Sequence, residues 1–105
     1  MNETETSNLT LLTRVIAALE FPDETFEFLR ELCTPHEVKV MAQRLGIAEL
    51  LMQGIPQKEI TTMLCDGAAA HRPSSATICR VSEIVKHGEG HLCRMIARAQ
   101  GIEGC

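Results

Sequence analysis

The stretch "RPSSATICRV", Arg72 to Val81, gathers two serines, a threonine and an arginine where a helical pattern begins. Ser74 and Ser75 are of the type that caps a helix, because a side-chain oxygen can accept from the unpaired N–H groups of the first turn. Short or branched polar side chains of this kind also let a helix end approach closely. Arg80, about one turn further in, has the reach for a phosphate or a guanine edge. Upstream, Gln57 and Lys58 open the short segment "QKEITTMLC", where first-turn polar residues can hold backbone phosphates. Two short helices joined by a Gly-containing turn make a helix-turn-helix candidate whose second helix would enter the major groove. At this level a capped surface helix and a DNA-reading helix are both open, since any helical pair can imitate the motif.

Other chemistry is sparser. Cys65, His71, Cys79, His87, His91 and Cys93 all fall in the C-terminal half, and "HGEGHLC" spaces His87, His91 and Cys93 as HxxxHxC. Zinc sites more often use tight Cys/His pairs, and Gly88 and Gly90 interrupt any shared helical face. A metal-responsive regulator is therefore an alternative reading, and no metal or other cofactor is expected. Catalysis is not expected either: there is no Gly-rich phosphate loop, no nucleophile elbow and no carboxylate pair beside a histidine. "TPHE", residues 34–37, has an acid and a histidine together, but Thr34, Pro35 and Glu37 fit a capping box better.

The elements that position these residues are all helical, because no segment alternates with period two for long. After an N-terminus, 1–7, expected to be disordered, Leu9, Leu12, Val15, Ile16 and Leu19 share one stripe. Phe26, Leu29, Leu32 and Cys33 share another. The helix from Pro35 should run to about Gln53 and stop at Gly54. It carries one apolar stripe of Val38, Met41, Ala42, Leu45, Ala48 and Met52 and a second of Val40, Ile47 and Leu51, which predicts a central helix; Glu49 fits the first stripe poorly. Ile60, Met63 and Leu64 should face inward from the short helix at 56–65. A helix from Ser74 or Ser75 to His87, ended by Gly88, should bury Ile78, Val81 and Val85, with Ile84 at the margin and Ala76, Arg80, Glu83 and His87 opposite. A last helix, "HLCRMIARAQ", ends at Gly101, with 101–105 a loose tail.

A chain of 105 residues with three Phe as its only aromatics must build an aliphatic core, and such small helical chains often complete that core across a dimer interface. The formal charge of −4 is uneven: residues 1–54 carry four Lys/Arg against nine Asp/Glu, and residues 55–105 six against five. For docking on phosphates the local field matters more than the total. No apolar run approaches the ~18–20 residues of a membrane span, and "MNETETS" lacks a signal peptide's basic start and apolar middle. A cytoplasmic protein without a membrane partner is expected. Its five Cys are an odd number without a CxxC pair, so reduced thiols are expected too.

"FLRELCTPHEVKVMAQRLGIAELLMQGIPQKEI", followed by "SSATICRVSEIVKHGEG", resembles the Trp repressor superfamily, with its YerC/YecD-type branch of Trp repressor-related proteins the nearer match. The resemblance covers roughly residues 10–97, and "LCTPHE", "AQRL", "QKEI" and "SATICRV" are its most specific pieces. It implies an all-α domain of about six helices over residues 8–100, with the helix-turn-helix at about 56–87, forming an intertwined homodimer on double-stranded DNA. It further implies a sequence-specific transcriptional regulator, a repressor, whose DNA contacts fall on Gln57, Lys58, Ser75, Ala76 and Thr77; Cys79 replaces a hydroxyl residue. The two arginines that flank the family's indole ligand correspond to Arg44 and Arg80, a candidate pocket for a small-molecule effector. However, Val81 stands where a glycine leaves room for the ring, and Ile84 where a serine receives the ligand's amino group. A valine fills that space and an isoleucine cannot bond an ammonium, so no response to tryptophan is expected. Arg44 reads equally well as a snorkelling residue beside Val40, Ile47 and Leu51. The connection "CDGAAAHRPSS", a long turn at 65–74, exceeds the family's short turn and either extends the first helix or carries His71 and Arg72 toward DNA. If it spoils the reading angle, the chain becomes a helical protein-interaction module.

Overall fold

The structure, a computed structural model, describes residues 1–65 and 73–101. Within them every element is α-helical: α1 (Glu3–Ala18), α2 (Pro22–Leu32), α3 (Pro35–Met52), α4 (Gln57–Cys65), α5 (Ser75–His87) and α6 (His91–Gln100). The all-α expectation holds. The expected course of the long turn, with His71 and Arg72, and of the tail beyond Gly101 lies outside the described residues.

The chain forms two compact units, Met1–Val38 and Lys39–Cys105. In the first, α1 starts inside the stretch expected to be disordered. Asn2 accepts from the Glu5 N–H at 2.8 Å and gives the helix an N-cap, and Glu3 and Glu5 lie in the first turn, where the helix dipole favours acids. Pro22 opens α2, where its missing N–H costs nothing. Thr34 and Glu37 form the predicted capping box: the Thr34 N–H donates to Glu37 Oε1 at 2.7 Å, and the Glu37 N–H donates to Thr34 Oγ1 at 3.1 Å. The Thr34 backbone N–H first, and the Thr34 side chain second, hold the Glu37 carboxyl below its ordinary range, with His36 adding a smaller push the same way. No residue of α1 or α2 is buried, and Leu9 (45%), Ile16 (49%) and Phe26 (53%) of the predicted stripes are well exposed.

In the second unit the core joins Ile47 and Ala48 of α3, Ile60 of α4, Ile78 and Val81 of α5 and Ile96 of α6. α3 ends as a Schellman turn. Gly54 takes φ +88°, its N–H donates to the Leu51 carbonyl at 3.0 Å, and the Ile55 N–H donates to the Leu50 carbonyl at 3.1 Å. That turn aims α4 back along the core. The expectation of a central α3 holds only for its last turns, since Met41 and Leu45 are exposed while Ile47 and Ala48 are buried. Glu49 is accommodated at the edge of the unit, where it accepts from Gln100 Nε2 of α6.

One inward assignment changes, and one buried residue was not assigned. Met63 is exposed, because the inward arc of α4 runs through Gln57, Ile60, Thr61 and Leu64 at helical spacing and Met63 falls beside it. Ser82, four residues after Ile78 on the core face of α5, is fully buried. Ile78, Val81 and Val85 lie inward as predicted, with Ile84 at the margin. Gly88 follows α5 at a close approach: a Cβ there would stand 2.4 Å from the Ile84 carbonyl oxygen.

Candidate nucleic-acid interface

The start of α5 is built by its own sequence. Ser74, extended at φ −72° and ψ 159°, is the N-cap, and its Oγ accepts from the Thr77 N–H at 3.1 Å. The two hydroxyls of Ser74 and Thr77 also pair at 3.0 Å. Ser75 and Ala76 are exposed beyond this cap, Thr77 is half-buried, and Arg80 is exposed one turn later. Cys79, between them, is an exposed free thiol. The capping reading of the serines is thus correct for Ser74, and it leaves Ser75, Ala76 and Arg80 facing outward.

The residues assigned to α4 divide. Lys58 is exposed. Gln57 is half-buried and turned toward α5, where its Nε2 donates to Ser82 Oγ at 2.8 Å. Sequence reading missed Ser82. The available signal was its register: a hydroxyl one turn after Ile78, on the face predicted to be core.

Arg44 and Arg80, distant in sequence, line one groove of about 460 Å³ together with Ala76, Thr77, Val81 and Ile84. Val81, which belongs to the core, and Ile84 give it an apolar lining, and neither Arg44 nor Arg80 has an acidic partner among the described residues. A second cavity of about 240 Å³ lies beside the Gln57–Ser82 pair, lined by Leu51, Pro56, Val85 and Lys86 among others.

The HxxxHxC spacing does not assemble a site. His91 pairs on the surface with Glu89 at 3.2 Å and with Arg94 at 2.9 Å, whereas Cys93 is buried. Among the described residues no three His, Cys, Asp or Glu side chains are grouped to hold a metal, and no helix is long and apolar enough to cross a membrane.

Residues 7–100 match the family model described as Trp repressor protein. Among curated proteins the chain is 36% identical over 73 residues to "Uncharacterized protein YerC" of Bacillus subtilis (strain 168), an alignment spanning 70% of this chain and 64% of that relative. The chain thus spans just under two thirds of the length of this relative. No solved structure matches the chain at a significant level.

Proposed function

Because the chain belongs to the Trp repressor protein family, we propose that it is a sequence-specific DNA-binding transcriptional regulator, a repressor that acts as a homodimer. The observation that carries this reading is the packing of α4 against α5 with Ser75, Ala76 and Arg80 left exposed at the start of α5. That is the arrangement a helix-turn-helix needs to lay its second helix in a major groove. In this reading Ser75, Ala76 and Thr77 approach the base edges, Arg80 reaches a base or phosphate, and Lys58 with Gln57 holds the neighbouring backbone.

The regulator works without tryptophan. This reading is supported by Val81, which belongs to the core, and by Ile84, which lines the same groove as Arg44 and Arg80: a valine would fill the room an indole needs and an isoleucine offers its ammonium no acceptor. Any effector at this groove would be another small molecule suited to two guanidiniums beside apolar side chains.

Replacing Thr77 and Arg80 by Ala, singly and together, tests the assignment in a duplex-binding titration. Each change should cost about 1–3 kcal/mol of specific binding, and if Arg80 meets a phosphate its loss lowers the salt slope by about one. Binding that survives both changes would mean that α5 is not the reading helix. If no genomic fragment is shifted even at low salt, the chain is an interaction module instead.

A further inference from the structure

Gln57 and Ser82 stand out from the other polar pairs. Most of the remaining side-chain hydrogen bonds of the described residues lie on the surface or join near neighbours in sequence, whereas this one joins residues 25 apart on α4 and α5. Ser82 is the one buried polar residue among those described, at 0% exposure, and Gln57 reaches it from the first turn of α4. Around them the contact between α4 and α5 is aliphatic, through Ile60, Ile78 and Val81. Aliphatic contacts are non-directional and tolerate small rotations, whereas a hydrogen bond weakens steeply when its angle is lost.

Resting on the DNA-binding reading above, we propose that the Gln57–Ser82 hydrogen bond is the element that sets the angle between α4 and α5, making Ser82 a positioning residue for DNA recognition. The pair ties the first turn of α4, which carries Lys58, to the middle of α5, which carries Arg80 half a turn before Ser82. The phosphate-holding and base-reading groups are thereby fixed relative to each other by a bond that bypasses the connection between the helices. The reading angle is then a property of the two side chains, and the length of the 65–74 connection does not determine it. Gln57 serves twice: one amide N–H holds Ser82, and the rest of the amide remains for the DNA backbone.

The test uses the full chain with Ser82→Ala, Gln57→Met and the double variant, at a temperature where each is folded. Ser82 is buried and cannot itself meet DNA. Ser82→Ala is expected to weaken specific binding about tenfold, to leave non-specific binding and its salt slope unchanged, and so to lower the specificity ratio. A purely structural role would lower the melting temperature and leave the affinity of the folded protein as it was. In the Ser82→Ala background, Gln57→Met should cost less than it does in the wild type, because the shared bond is already gone. Native-state hydrogen exchange reads the bond without DNA: Ser82→Ala should speed exchange in α4 and the middle of α5 together, while α6 keeps its protection. Wild-type affinity in Ser82→Ala, or additive losses in the cycle, would overturn the proposal. If the wild-type protein binds no duplex, the DNA-binding reading fails by itself. Exchange then decides the bond, and unchanged protection in α4 and α5 overturns it.

Discussion

Arg44 and Arg80 show what residue chemistry settles and what it leaves to the fold. Nothing in their spacing brings them together; the family resemblance paired them, and the structure places both on one groove that Val81 and Ile84 also line. The same residues argue against the ligand that such a pair would suggest. Calorimetric titration with free tryptophan should show no binding, and Val81→Gly should not by itself create a tight site, because Ile84 still offers no acceptor for the ammonium. Tryptophan binding at micromolar strength would contradict this. Ser82 is the residue that sequence reading did not anticipate. A serine is ordinarily a surface or capping residue, and here one at zero exposure accepts from Gln57, a partner 25 residues away that local sequence does not reveal.

Helix boundaries were legible wherever a local chemical signal marks them. The Thr34–Glu37 box, the Gly54 turn, the Ser74 cap and the Gly101 stop were all predicted, since each depends on residues a few positions apart. The start of α1 was missed because "MNETETS" reads as polar and frayed, although Asn2 followed by acids is itself a start signal. Met63 was misplaced because a nine-residue helix offers too few apolar positions to define its inward arc. The capping box also makes a pH prediction. With its folded carboxyl held below the unfolded value, Glu37 contributes stability above the unfolded range, and that contribution is lost as the pH falls through the depressed folded value. Amide exchange in the first turn of α3 should therefore quicken on acidification in the wild type, beyond the intrinsic pH dependence of exchange. Glu37→Gln should flatten that response, and an identical profile in the two proteins would count against the box as a stabilising device.

At the scale of the molecule, neither compact unit by itself buries all of the apolar stripes read from the sequence. Leu9, Leu12 and Ile16 of α1, Phe26 and Leu32 of α2, and Met41 and Leu45 of α3 remain exposed, while the second unit closes a small core around Ile47, Ile60 and Ile78. Apolar area left in water on this scale calls for a cover, and the homodimer proposed above would supply one. Sedimentation equilibrium should give twice the chain mass at micromolar concentration. Leu12→Glu with Ile16→Glu should shift the protein to monomer and abolish specific DNA binding, since one reading helix alone loses the second half-site. A wild-type monomer would require another partner for these faces. Periodicity showed which faces are apolar; which surface covers them was not legible, because that is decided between chains.

The central claim is that α5 reads DNA as one of a symmetric pair, and the most direct measurement is selection of bound duplexes from a random pool, followed by footprinting on the enriched sequence. The expected result is a roughly palindromic site with half-sites about one helical turn apart, protected on one face of the duplex. No enriched sequence, or a single unrepeated half-site with no symmetric partner, would contradict it.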